Sequence, residues 1–313
     1  MDLELIIPFE PMSSSTVPAG EDWTMQMKWD GVRIVTYYDG KETRLYNRKQ
    51  NERTQHFPEL LQDSYCKANS VILDGEVIAL GEHGRPSFHQ VMRRDALRKL
   101  DKVQMMKNVV PVYYMIFDVV YYNGRWINEL PLRERMALLS EIIEPTPNIQ
   151  LTTSYEDGES LYKVTEQQGM EGIVAKKLNS KYELGGKNNN WIKIKNFQDI
   201  IAVIGGVTYR NGVVNAVLLG LYDESGNLHY VGHAGTGKLT QEDWQLITQY
   251  VEKLKVEERP FINEPDRLNN SQWISPQLTV KIQYIEWPKG RSIRQPSIQA
   301  FTSVPPEECK LPQ

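Results

Sequence analysis

The sequence predicts an α+β protein of two domains, the second a small β-barrel. Three observations carry this. The chain has 313 residues, twice a typical domain of about 150. In its first part, strand-like and helix-like segments are interleaved. From Asp199 onward strands dominate, and several strands with one helix in about a hundred residues suit a five-stranded barrel of the OB type. The boundary falls between Asn196 and Ile200, giving domains of residues 1–196 and 197–313.

The elements follow in order. Residues 22–29 and 32–38 read as strands around a polar turn at Asp30-Gly31, with a short strand at 43–47. Residues 70–80 are β-branched and apolar with Asp74-Gly75 inside. Glu76-Val77-Ile78 follows at once, so a kink or bulge competes with a hairpin. Residues 88–107 have helical period and are rich in Arg and Lys. Residues 109–122 form a long apolar strand that turns at Asn123-Gly124. A Pro-Leu start opens an amphipathic helix over 131–144, and 159–168 is a second. Residues 171–177 and 190–197 are short strands around a loop from Gly185 to Asn190. In the second domain, strands span 200–209, 213–223 and 228–234, separated by turns at Asn211-Gly212 and Glu224–Asn227. A helix over about 240–254 opens with Thr240 and Asp243 in a capping-box pattern. A last strand spans 278–287.

Composition excludes several classes. No apolar run approaches the roughly 18 residues of a membrane span. The start, MDLELIIPFEPM, lacks the basic residues and long apolar core of a signal peptide. Cys66 and Cys309 stand far apart with no His/Cys cluster, which excludes a zinc site or a disulfide framework. The expected setting is reducing and cytoplasmic. The net charge of -4 argues at first against nucleic-acid binding.

The chemistry begins at Lys28-Trp29-Asp30-Gly31-Val32-Arg33, a K-x-D-G-x-R motif. Alone, it also reads as a charged surface hairpin. Downstream stand Arg48, Asp74-Gly75-Glu76, Phe117-Asp118, Glu171-Gly172-Ile173-Val174-Ala175-Lys176 and Trp191-Ile192-Lys193-Ile194-Lys195. A strand of period two puts Lys193 and Lys195 on one face and Ile192 and Ile194 on the other. Two ammonium groups on one face neutralise phosphate. They also disfavour the charged form of a nearby lysine, whose free pKa of about 10.4 otherwise makes it a poor nucleophile. Asp118 is costly to bury unpaired, which favours a site wall over core.

This ordered set resembles the covalent nucleotidyltransferases: ATP-dependent DNA ligases, RNA ligases and mRNA capping enzymes. The resemblance covers residues 10 to 300. It is nearest the ligase domain of bacterial end-joining and related minimal two-domain ATP-dependent DNA ligases. Supporting segments are Pro11-Met12, His56-Phe57-Pro58-Glu59-Leu60, Phe88-His89-Gln90 leading to Arg93-Arg94, and the run from Phe117 to Gly124. It implies an adenylation (nucleotidyltransferase) domain of antiparallel sheets with flanking helices, followed by an OB-fold β-barrel. It implies a bacterial cytoplasmic or nucleoid enzyme, monomeric, using ATP with Mg²⁺ or Mn²⁺, whose partner is nicked duplex DNA.

Residue by residue, the resemblance implies that Lys28 attacks the α-phosphate of ATP. Gln26 exchanges hydrogen bonds with adenine, and Phe117 stacks on it. Arg33 contacts the nucleotide sugar or the end being joined, and Arg48 holds a phosphate. Glu76 meets the ribose and assists the metal, Glu171 ligates the metal, and Lys193 and Lys195 bind the α-phosphate. Arg33, Arg48, Arg93, Arg94, Lys289, Arg291 and Arg294 are the implied DNA contacts.

Two departures stand out. Gln26 replaces a glutamate that many relatives carry. The family's closing R-x-D-K-type segment is also missing. Arg294-Gln295-Pro296-Ser297 approaches it, but Phe301-Thr302-Ser303-Val304-Pro305-Pro306 follows. Lys289, Arg291 or Arg294 then compensates, or self-adenylylation is slow. Two alternatives stay open: an RNA ligase or capping-type enzyme, and a catalytically impaired nucleic-acid-binding relative. Charge distribution answers the acidic total. Residues 28–53, 85–107, 171–195 and 281–294 hold 24 Lys and Arg against 9 Asp and Glu, while the rest hold 12 against 31. A basic face in an acidic remainder suits DNA, with affinity that falls steeply with salt.

Overall fold

The computed structural model describes residues 3–61, 65–81, 84–266, 270–288 and 290–312. Lys289 lies outside the described residues. The chain divides into two compact units, Met1–Asn196 and Phe197–Gln313.

The first unit opens with β1 (Glu10–Ser14), β2 (Trp23–Met27), β3 (Val32–Tyr38), β4 (Thr43–Asn47) and β5 (Val71–Ala79). The Arg-rich stretch predicted as one helix is two, α1 (Phe88–Asp95) and α2 (Val103–Val109), separated by a turn and a short 3₁₀ segment. Next come β6 (Val112–Tyr122) and β7 (Arg125–Trp126), joined by Asn123 and Gly124, both at positive φ as a tight hairpin turn requires. β6 starts three residues later than predicted, because Val109 still belongs to α2 and Pro111 intervenes. Then follow α3 (Leu132–Ile142), β8 (Ile149–Leu151), β9 (Ser154–Tyr155), α4 (Gly158–Gln167), β10 (Gly172–Lys177) and β11 (Lys187–Lys195). β11 begins inside the segment predicted as a Gly/Asn loop, because its first residues pair in parallel with β1.

Two sheets result. One has the order β4-β3-β5-β6-β7, with β8 parallel on β6. The other has the order β1-β11-β10-β2-β9. Period two sorts their faces. Ile34, Leu45, Leu73 and Val77 of the first sheet pack with Leu139 and Ile142 of α3. Met25, Ile173, Ala175 and Ile194 of the second pack with Leu161 of α4. The opposite faces meet in a shared aromatic cluster, Val35, Tyr37, Ile72 and Tyr121 against Phe9, Tyr182 and Trp191. Each sheet therefore has a helix-covered outer face and an inner face turned to its partner.

The second unit contains β12 (Gln198–Arg210), β13 (Val213–Tyr222), β14 (Leu228–Ala234), α5 (Gln241–Val251), β15 (Ser271–Tyr284) and β16 (Ser297–Thr302). The antiparallel order is β14-β13-β12-β15-β16. After β14 the chain returns along β16. Lys238 N donates to Ile298 O at 2.8 Å and Ile298 N to Thr236 O at 2.8 Å, which closes the five strands into an OB-type barrel. α5 covers the core with Ile247 and Val251 and is capped by the predicted Thr240–Asp243 box. β15 starts seven residues earlier than predicted. Its Pro276 lies in a register break, where Trp273 pairs with Gly206 and Leu278 with Ile204, so the missing donor costs no ladder bond. β16 went unpredicted; its short run has few β-branched residues.

Among the described residues, no helix is long and apolar enough to cross a membrane.

Candidate active site

The K-x-D-G-x-R motif crosses from one sheet to the other. Lys28 follows β2, and its backbone N–H donates to Gly172 O at 2.9 Å. Arg33 sits in β3. Between them a Cβ on Gly31 would stand 2.2 Å from Val77 O, so only glycine lets the connection pass β5 this closely.

Register assembles the inner face of the second sheet. Ser154, Gln26, Val174, Lys193 and Ser13 form one row across all five strands. Lys195 pairs with Gly172 two residues along, on the same face. The predicted face of lysines is therefore built, although Ile192 on the other side is only half-buried. Gln26 is buried, with its amide nitrogen donating to Ser154 Oγ at 3.0 Å.

Glu171 is the centre of charge. It accepts from Lys28 Nζ at 2.8 Å on Oε2 and pairs with Lys195 Nζ at 2.9 Å on Oε1. Burial opposes its charge, but the two lysines hold its carboxyl below the usual range. Lys193, half-buried beside Lys195, Lys28 and Lys187, is pushed below the usual lysine value by burial and then by those cations. Glu76 enters from β5. Burial, with smaller contributions from Glu171 and Asp74, pushes its carboxyl up to about 8, against the pull of Lys28 and Arg33. Three lysines and Glu171 on the second sheet and Glu76 on the first thus come together between the two inner faces. The excess of positive charge suits a polyphosphate.

Gly172 fixes where Glu171 stands. Its φ is +134°, and a Cβ there would lie 2.1 Å from Ile194 O. Gly172→Ala is expected to displace Glu171 and lower the rate of covalent labelling by nucleotide about 10²-fold. A rate assay alongside circular dichroism checks this; a near-wild-type rate would show that the strand absorbs the methyl.

Phe117 owes its aim to a bulge. In the β5–β6 ladder Asp74 pairs with Asp118 and Gly75 with Ile116, leaving Phe117 as the extra residue. Bulges re-aim side chains in this way. Its ring centre lies 6.1 Å from that of Trp191 in an edge-to-face arrangement, with the Arg33 guanidinium 4.9 Å from its centre.

Other expected residues lie elsewhere or are occupied. Arg33 donates from Nε to Asp74 Oδ1 at 2.7 Å and from Nη2 to Asp74 Oδ2 and Phe9 O. Burial works against its charge, but Asp74 holds it above the usual value. These bonds tie β3 to β5 and to the segment before β1 through Nε and Nη2. Arg48 is mostly exposed and pairs with Glu10 at 3.0 Å. Arg93 is exposed on α1. Arg94 is not a DNA contact. It is 0% exposed and gives Nη1 and Nη2 to the two oxygens of Glu59 at 2.8 and 3.0 Å. Asp118 is not a site wall: it is fully buried in a two-pronged pair with Arg135. Arg291 is exposed in the second unit, and Arg294 pairs with Glu286 at 3.5 Å. Sequence reasoning missed Ser154, which faces Gln26 from a two-residue strand too short to show a period.

Burial and, to a lesser degree, Glu171 disfavour the charged form of Glu76, and a divalent cation would favour it. Among the described residues no group of three or more His, Cys, Asp or Glu gathers to hold one unaided. The pair fits the manner of Mg²⁺, which takes one or two carboxylates and fills its shell with phosphates and water.

Two family models match the chain: the ATP dependent DNA ligase domain over residues 10–195 and the ATP dependent DNA ligase C terminal region over residues 210–303. A DNA ligase of Thermococcus onnurineus is 31% identical over 290 residues, covering 88% of this chain and 49% of that protein. The multifunctional non-homologous end joining protein LigD of Pseudomonas aeruginosa is 31% identical over 296 residues, covering 89% of this chain and 33% of that protein. Among solved structures, a mycobacterial DNA ligase D complexed with ATP and MES matches with a TM-score of 0.56 and 25% identity over 97% of both chains. The chain spans about half the length, or less, of these curated relatives.

Proposed function

This chain belongs to the ATP-dependent DNA ligase family, and on that premise we propose that it seals 5′-phosphate/3′-hydroxyl nicks in duplex DNA. The observation that carries the reading is the set around Glu171: Lys28 and Lys195 on its two oxygens, Lys193 alongside and Glu76 opposite. The first unit is the adenylation domain, and the barrel is its nucleic-acid-binding partner.

Lys28 Nζ loses its proton and attacks the α-phosphorus of ATP. A P–N bond forms, the bond to the bridging oxygen breaks, and pyrophosphate leaves. The 5′-phosphate of the nick then attacks the lysyl-AMP phosphorus, giving a DNA-adenylate and free Lys28. Finally the 3′-hydroxyl attacks the 5′-phosphate and expels AMP. Charge neutralisation and alignment carry such transfers. Lys193 and Lys195 neutralise the α-phosphate, Gln26 meets the edge of adenine and Phe117 its face. Glu76 and Glu171 would hold Mg²⁺ or Mn²⁺, which supplies further neutralisation of phosphate charge. Arg48, Arg93 and Arg291, all exposed, are candidates for DNA phosphates, and Lys289 is one from the sequence alone. With no R-x-D-K-type segment, either Lys289, Arg291 or Arg294 takes its place over the triphosphate, or the first step is slow.

The test uses labelled ATP with Mg²⁺ or Mn²⁺, followed by nicked DNA or nicked RNA. An acid-labile protein–AMP adduct that decays as sealed DNA appears is the expected result. Labelling by GTP instead, or sealing of RNA alone, would move the chain to another branch of nucleotidyl transfer. No adduct at all would leave a binding protein.

A further inference from the structure

One basic side chain on the inner face has no part in the chemistry above. Lys176 on β10 is 2% exposed, and its Nζ is buried without a hydrogen-bond partner. It lies 4.0 Å from the centre of the Trp191 ring and 4.3 Å from that of Phe117. The indole nitrogen of Trp191 is buried and unpartnered as well. Register sets Lys176 between Thr24 and Trp191, one step along the strand from the row that holds Gln26, Val174 and Lys193.

The charged groups facing Lys176 come from four elements: Arg33 of β3, Asp74 of β5, Asp118 of β6 and Arg135 of α3. Both acids are already committed, Asp74 to Arg33 and Asp118 to Arg135, each through two oxygens. No carboxylate remains for the ammonium, and an unpaired charge at this depth is costly. Burial, the largest influence, pushes the amine down to about 7. Methionine would fill the same space without that cost. A buried group that lowers stability with no structural return is a mark of function.

We propose that Lys176 is a positioning residue that holds the Phe117 ring for the nucleobase and places a positive charge behind it when an anionic nucleotide binds. This rests on the reading of Phe117 as the base-stacking ring. A cation over an aromatic face is attracted by the ring quadrupole, more so where water is excluded. In the empty protein a neutral amine is the less costly form. A bound triphosphate adds negative charge, favours the ammonium and draws in a proton. By linkage, the protonated protein then binds nucleotide more tightly, so affinity falls as pH rises through about 7.

Lys176→Met, which keeps the length and removes the charge, tests this. The variant should melt at or above the wild-type temperature. Its KM for ATP in protein–AMP formation should rise about tenfold, with the rate at saturating ATP little changed. The wild-type rise of KM from pH 6 to 8.5 should flatten. Calorimetric titration with ATP in two buffers of different ionisation enthalpy should show the wild type taking up more protons than the variant, in which the other titrating groups of the site, Glu76 and Lys193, are unchanged. Unchanged KM and proton uptake would overturn the proposal. So would a fall in melting temperature that accounts for the lost affinity, since that is ordinary packing. Failure of the wild type to bind ATP or form an adduct would instead remove the nucleotide reading, and this inference with it.

Discussion

Lys28→Ala forms no protein–AMP adduct and seals no nick from ATP, with residual labelling below about one part in 10⁴ of wild type. The size follows from the role: deleting a covalent nucleophile removes the step itself, whereas deleting a binding group only slows it. The structure says why the loss is chemical and not structural. Lys28 is partly exposed, and Glu171 keeps Lys195 at 2.9 Å when Lys28 is gone, so no buried acid is orphaned. The variant should therefore melt within a few degrees of wild type. It should also still join a nick whose 5′ end already carries AMP, because the 3′-hydroxyl is the nucleophile of that last step. Adduct formation by the variant would show that another residue carries the AMP.

The legible parts of this protein are those where one strand's period tells its own story. β3 and β4 lie where alternation placed them, and Lys193 and Lys195 share a face as period two requires. The Asp74-Gly75 kink is a bulge in the ladder to β6. What was not legible depends on a partner far along the chain. Arg94 reads as an exposed helix cation until Glu59, 35 residues away, is seen to bury it. The pairing of Arg33 with Asp74, 41 residues away, is likewise invisible in the sequence. A lone buried acid at position 118 is costly, but the partner that offsets the cost, Arg135, reads in the sequence only as one polar residue of an amphipathic helix. Lys176 is the converse case. Alternation lets only one of the adjacent Lys176 and Lys177 face inward, but nothing in the sequence shows that the inward one lies against two aromatic rings while the nearby Asp74 and Asp118 are already paired with arginines.

The second large effect concerns stability. Asp118→Ala is expected to destabilise the first unit by about 3–5 kcal/mol, because it leaves Arg135 charged, fully buried and unpaired. In the native fold Arg135 gives Nε and Nη2 to Asp118 at 2.7 and 2.9 Å and Nη1 to the carbonyls of Leu130 and Ser180. The pair thereby fastens α3 to β6 and to the segment after β10. For a unit of this size the loss is a fall of about 10 °C in melting temperature. The alanine itself removes little apolar area, so a packing explanation predicts a much smaller change. Asp118→Leu combined with Arg135→Met separates the two accounts. With both charges gone the desolvation cost goes too, and apolar side chains fill the space, so the double variant should recover most of the loss. A double variant no more stable than Asp118→Ala would mean that the carbonyl contacts of Arg135, and not its pairing with Asp118, hold α3 in place.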